Sequence, residues 1–183
     1  ALFCKIVDQL AEGRPQRILP YLQNEPLLDA RLPRFVAYIA QRVPQATTLV
    51  TTNGTPLTEA MGQGLIEAGL KRLKVSLQSL DDENNQAIMG HPATRVVENV
   101  LRFTRQLRAA KSRLDLRVSM VVTSKNREEL PAARRFWRKH GVRLVTSALE
   151  NRGGNIADAE SLNMGHGMAQ CTNCLRPSEY MCI

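Results

Sequence analysis

Three of the four cysteines, Cys171, Cys174 and Cys182, crowd the last thirteen residues of the chain, while Cys4 stands alone near its start. In a cytosolic chain a C-x-x-C pair such as Cys171 and Cys174 points to metal, cluster or redox chemistry before it points to a structural disulfide. Cys4, inside an amphipathic segment, reads as a small buried hydrophobe. A second set of polar residues stands wherever a short apolar run stops. The run 18–22 meets Gln23, Asn24 and Glu25 before Pro26, and 49–52 meets Asn53 and Gly54. The run 73–77 meets Gln78 and Ser79, 118–122 meets Thr123 to Asn126, and 144–149 meets Glu150, Asn151, Arg152 and the Gly153-Gly154 pair. Five such clusters would share one rim.

The elements that must hold this rim alternate regularly. Residues 3–12 read as a helix with Phe3, Ile6, Val7 and Leu10 on one face, ended by Gly13. A strand 18–22, a helix 30–42, a strand 48–52 and a helix capped by Thr58 and ended by Gly69 follow. Strand 73–77 leads into a short acidic helical start at 80–83, and a long helix 94–110 is expected to be capped by Thr94. Strand 116–122, helix 127–140 and strand 143–149 close the series. This alternation predicts right-handed crossovers and a parallel α/β sheet, either doubly wound or a whole or partial barrel. Neither G-x-G-x-x-G nor G-x-x-x-x-G-K-[ST] occurs, so nothing supports a dinucleotide fold or a P-loop.

The 183 residues suffice for one domain, or one domain with a small appendage. With 43% apolar residues and a mean hydropathy of −0.26, a soluble, cytoplasmic protein is expected. No run has the length of a membrane span, and Lys5, Asp8 and Glu12 interrupt any signal-peptide core. The net charge of +8 is concentrated on helices, among Arg102, Arg105 and Arg108 and again among Arg134, Arg135 and Arg138. Those are solvated faces, and 4% aromatics leave little for base stacking, so a nucleic-acid partner is not expected.

The ordered series Asn24-Glu25-Pro26-Leu27-Leu28, Thr52-Asn53-Gly54-Thr55-Pro56, Val75-Ser76-Leu77-Gln78-Ser79 and Val97-Glu98-Asn99-Val100 resembles the radical S-adenosylmethionine (radical SAM) superfamily. The later Glu150-Asn151-Arg152-Gly153-Gly154-Asn155 and Cys174-Leu175-Arg176-Pro177 are similar to the subgroup that carries a C-terminal auxiliary iron–sulfur domain, called SPASM. The resemblance runs from about Ile18 to the end. It implies a partial (β/α)6 TIM-like barrel over residues 1–156, with strands two to six present, and a linker and start of the auxiliary domain over 157–183.

The resemblance also implies roles. Glu25, with Asn24 beside it, occupies the place of the Gly-Gly-Glu-Pro segment that holds the methionine ammonium of S-adenosylmethionine. A carboxylate suits that task through charge-assisted hydrogen bonds, although Gln23 and Asn24 replace the two glycines. By itself Glu25 also reads as an acid at a helix N-terminus, and Asn53-Gly54 as an ordinary turn. Within the resemblance Asn53 and Gly54 line the floor of the site. Ser76 and Gln78 share strand parity and match positions that contact the cofactor ribose and carboxylate. Ser119 is an inward candidate by strand parity or simply a satisfied strand serine, and Arg152 reads as a partner for the cofactor carboxylate, for Glu150 or for a helix end. Cys174 aligns with the first auxiliary-cluster ligand, with Cys171 and Cys182 as further ligands or bystanders.

The cofactors implied are S-adenosylmethionine, a [4Fe-4S] cluster and auxiliary [4Fe-4S] clusters. The partners implied are a peptide, protein or sugar-like substrate and a reductant such as flavodoxin or ferredoxin. The C-x-x-x-C-x-x-C loop that binds the core cluster is not in this sequence. The chain therefore reads as part of a longer enzyme, expected to be inactive alone. Two other readings stay open: a cluster-less barrel that binds a ligand or partner, and an unrelated βα enzyme that takes anionic substrates through Lys125 and Arg152.

Overall fold

The computed structural model describes residues 2–149 and Leu162. Helix α1 (Leu2–Glu12) precedes β1 (Arg17–Ile18), and α2 (Leu32–Arg42) leads to β2 (Thr47–Thr52). Then come α3 (Glu59–Glu67), β3 (Arg72–Ser76), α4 (Asp82–Met89), α5 (Ala93–Ala109), β4 (Asp115–Val122), α6 (Leu130–His140) and β5 (Arg143–Ala148). The five strands lie side by side in chain order and every neighbouring pair is parallel. The expected parallel α/β architecture is therefore present, as an open sheet that does not close into a barrel.

Period-two burial explains why the helices take one side. On β2, β3 and β4 the residues Val50, Leu73, Val75, Leu116, Val118 and Met120 are buried. They pack with Val36, Leu65, Val96, Val100, Phe103 and Trp137 of the helices in one core. The intervening residues, Thr51, Lys74, Ser76, Arg117 and Ser119 among them, are half-buried on the opposite face. In a barrel that opposite face is the interior.

Local signals set most boundaries. Thr58 Oγ1 accepts the Met61 N–H at 3.1 Å and starts α3, and Asp81 caps α4 in the same way through the Asn84 N–H. Gly141, at φ +73°, ends α6 in the left-handed conformation that lacks a Cβ penalty.

Three expectations need correction. The first strand covers two residues rather than 18–22, because Pro20 has no N–H to continue the ladder. The acidic start at 80–83 is a full helix, α4. Thr94 does not cap α5, which begins one residue earlier, after Pro92; its N–H and Oγ1 instead donate to Asp82, at 2.7 and 2.9 Å.

Candidate functional site

Three side chains finish what the strands leave undone at their C-terminal ends. Where β1 stops, the Tyr21 hydroxyl accepts the Thr51 N–H at 3.0 Å. One step further along β2, Glu25 Oε2 accepts the Asn53 N–H at 2.8 Å. Between β3 and β4, Gln78 Oε1 accepts the Val121 N–H at 2.6 Å. Each takes a donor that a continuing neighbour strand would have taken, so the rim is built of side chains laid over backbone.

Glu25 is the most connected of these. Its Oε1 also accepts the Thr52 hydroxyl at 2.6 Å and the Leu27 N–H at 3.1 Å, which caps the short 3-10 turn Pro26–Leu28. The helix-end reading of Glu25 is thus present, and it is only part of the residue's work. Asn24, beside it, is exposed.

Asn53 Oδ1 accepts the N–H and the hydroxyl of Thr55, at 2.9 and 2.8 Å, which makes the turn after β2 self-locking. Gly54 follows at φ +78°. A Cβ there would sit 2.7 Å from Val75 Cγ1 and 2.8 Å from Val96 Cγ1. The loop is also held from α5, where the buried Asn99 donates to the carbonyls of Gly54 and Thr55. Arg102 in turn donates to Asn99 Oδ1 and to the Leu57 carbonyl.

Ser76 and Ser119 are register partners on β3 and β4, so their side chains stand next to each other on the open face. Gln78 lies beyond the end of β3 and is 6% exposed. Around it Asn85 Oδ1 accepts the N–H groups of Gln78 and Ser79, and Asn126 donates to the carbonyls of Gln78 and Val121. Tyr21 and Asn85 were not singled out from the sequence, Asn126 was read only as part of a polar rim cluster, and Thr52 was quoted only at the end of an apolar run and within the resemblance. Asn99 was quoted only within the resemblance, yet an Asn between Val96, Val100 and Phe103 on a buried helix face is a readable signal of a structural clamp.

One level below the serines, towards the strand N-termini, the open face turns basic. Lys74 and Arg117 are register partners, and Arg143 of β5 pairs with Arg117. Below them Asp115 Oδ2 accepts from Arg117 at 2.6 Å and from Arg72 at 2.9 Å. Those two guanidiniums, Arg117 first, hold the Asp115 carboxyl below the usual carboxylate range.

The site therefore brings together Glu25, Asn53 and Gly54 at the β1–β2 end, and Ser76, Gln78 and Ser119 at the β3–β4 end. Arg152, Cys171, Cys174 and Cys182 lie outside the described residues. Among the described residues no group of three His, Cys, Asp or Glu side chains could hold a metal ion.

Comparison with known proteins turns this geometry into a lineage. The family model described as the radical SAM superfamily matches residues 5–136. The chain belongs to the radical SAM superfamily. Within it, the PqqA peptide cyclase of Granulibacter bethesdensis is 31% identical over 128 residues, covering 69% of this chain and 32% of the relative. The GTP 3′,8-cyclase of Rhodococcus opacus is 36% identical over 80 residues, covering 44% of this chain and 22% of the relative. The chain thus spans a third or less of the length of these curated relatives. Among solved structures, Streptococcus suis SuiB bound to its precursor peptide SuiA superposes with a TM-score of 0.66 at 17% identity, covering 82% of this chain and 34% of that one. This radical SAM chain shares the partial-barrel fold of that neighbour, and an unrelated βα origin is ruled out. No helix among the described residues is long and apolar enough to cross a membrane.

Proposed function

We propose that this chain is the S-adenosylmethionine-binding part of a radical enzyme core, covering residues 1–156, and that 157–183 begin a SPASM-type auxiliary domain. The observation that carries the reading is the rim itself. The half-exposed Glu25 carboxylate, the Asn53-Gly54 turn and the Ser76–Ser119 pair lie along the C-terminal edge of consecutive parallel strands, inside the stretch that matches the family.

The residues present fit the cofactor. A carboxylate offers about four acceptor sites. Glu25 uses three of them on Leu27, Thr52 and Asn53, so it retains capacity for an ammonium at the rim. The adjacent serine hydroxyls are free to serve either as donors or as acceptors to a ribose or carboxylate. Glu25, with Asn24 beside it, would hold the amino group. Asn53 and Gly54 would form the floor, Ser76, Gln78 and Ser119 would contact the ribose and carboxylate, and Arg152 would pair with the carboxylate. Cys174, with Cys171 and Cys182, would ligate auxiliary iron.

When bound together, the cluster and S-adenosylmethionine supply reductive carbon–sulfur cleavage and hydrogen abstraction from a substrate; this chain supplies grip and orientation. A cytoplasmic one-electron donor such as flavodoxin or ferredoxin would feed it. The names of PqqA peptide cyclase and of the SuiB–SuiA complex favour a peptide substrate, and that of GTP 3′,8-cyclase a small molecule.

The test is anaerobic. Protein expressed from the complete gene and loaded with iron and sulfide is reduced with dithionite in the presence of S-adenosylmethionine. Release of 5′-deoxyadenosine, abolished in a Glu25→Ala variant, is expected. Its absence from fully iron-loaded protein overturns the reading.

A further inference from the structure

The open face of the sheet carries more positive charge than folding explains. Lys74 and Arg117 stand directly opposite each other on neighbouring strands, with Arg143 next across and Arg72 one level below. Neighbouring strands are about 4.8 Å apart and alternate residues about 6.6 Å, so four cations occupy a patch of about 10 by 7 Å. Like charges placed directly opposite destabilise a strand pair. Asp115 is the one carboxylate on this face of β3 and β4, and both of its close guanidinium contacts fall on the same oxygen, Oδ2. That leaves Lys74 with no hydrogen bond or ion pair to the described residues. The Arg72 and Arg117 side chains are not extended into solvent: they are 30% and 22% exposed and both are tied to Asp115, while Arg143 is exposed.

We propose that this patch, led by Lys74 and Arg117, binds the phosphate groups of a small-molecule substrate. The proposal rests on the radical enzyme reading, since the patch lies one strand level beneath the Ser76–Ser119 pair of the proposed cofactor site. Charge density selects phosphate over an acidic peptide. Each carboxylate of an extended peptide carries one charge on a side chain rooted about 6.6 Å from the next on that face, whereas linked phosphates concentrate several charges on one compact group within the span of Lys74 and Arg117. The guanidinium fork of Arg117 and the point charge of Lys74 are the two usual phosphate-binding geometries.

Inorganic pyrophosphate is titrated calorimetrically into the purified protein, before iron is added, at 0.15 M salt. Lys74→Gln is expected to weaken binding about tenfold and Lys74→Arg to restore it, while the double variant Arg134→Gln, Arg138→Gln on the outer helix α6 binds as the parent does. Lys74 has no hydrogen bond or ion pair to the described residues, so the folded state is expected to tolerate the change. Equal binding by Lys74→Gln and parent, or equal weakening by the α6 variant, overturns the proposal. Tighter, Lys74-dependent binding of a hexaglutamate peptide than of pyrophosphate overturns the assignment to phosphate. The 5′-deoxyadenosine assay stands apart from this: if it fails while pyrophosphate binding still depends on Lys74, the cofactor reading fails and the anion site remains.

Discussion

Gln78 extends β3 with its side chain: its Oε1 takes the Val121 N–H at 2.6 Å, just past the last backbone bond, in which Leu77 N–H donates to the Ser119 carbonyl at 3.0 Å. The residue is buried, and its own N–H and carbonyl are claimed by Asn85 and Asn126. A polar side chain at this position is therefore part of the sheet before it is part of any ligand site.

Replacing Gln78 by Met should strand the Val121 N–H and cost about 1–3 kcal/mol of stability, the usual penalty for an unsatisfied buried donor. Gln78→Glu keeps an acceptor at the same place and should lose less. Urea denaturation of the two variants checks the order.

Gly54→Ala should be among the most damaging single changes. It combines a φ of +78° with a Cβ that would stand 2.7 and 2.8 Å from Val75 and Val96, two core side chains fully buried under the loop. A loss of about 2 kcal/mol or more is expected. The midpoint of chemical unfolding measures it, and Gly69→Ala, whose added Cβ meets nothing closer than 3.8 Å despite a similar φ, isolates the backbone share.

The alternation of elements was legible because apolar residues kept helical spacing in the helices and period two in the strands. The core side chains Val36, Val96, Val100, Leu73 and Val118 could be read that way, and so could the Thr58 cap and Gly69. Pro20 sits inside an apolar run that otherwise looks like a strand, so β1 came out shorter than its hydrophobicity suggests. The work of Tyr21, Asn85 and Asn126 was hidden for a different reason. Tyr21 and Asn126 meet partners 30 and 48 residues away in the chain, which the pairing of strands brings together, and Asn85 meets Gln78 seven residues back through the fold of the β3–α4 connection. Glu25 was legible as a polar rim residue, while its bond to Thr52 across 27 residues was not.

Acid should expose the Asp115 cluster. Hydrogen bonds from Arg117, then Arg72, hold its folded pKa below the ordinary value, so the stabilisation is complete above the unfolded pKa of about 3.9 and is lost as pH falls through the folded one. Unfolding midpoints should begin to drop below about pH 5 and go on falling as the Asp115 carboxyl takes up its proton. In Asp115→Asn this part of the drop should disappear, and the variant should be less stable than the parent by a constant amount above pH 5. Thermal melts across that range decide it.

Glu25→Gln should separate charge from geometry. The amide keeps an acceptor for Thr52 or Asn53 but loses the second acceptor and the negative charge, so stability should fall by about 1 kcal/mol. S-adenosylmethionine affinity of the iron-loaded protein should fall by about tenfold or more, because a charge-assisted bond to the ammonium is gone. Equal losses in both measurements would reduce Glu25 to a structural tie.

That tie has an implication for how the site can change. The carboxylate at position 25 caps the turn after β1, anchors the Thr52 hydroxyl and fixes the Asn53 amide, all in one group. Any substitution selected to retune ligand grip there also moves the seam between the first two strands. Affinity and foldability are not independent traits at this residue, so adaptation of the pocket to a new substrate has an easier route through Lys74, which makes no hydrogen bond or ion pair to the described residues, than through its neighbour Arg117, which is tied to Asp115.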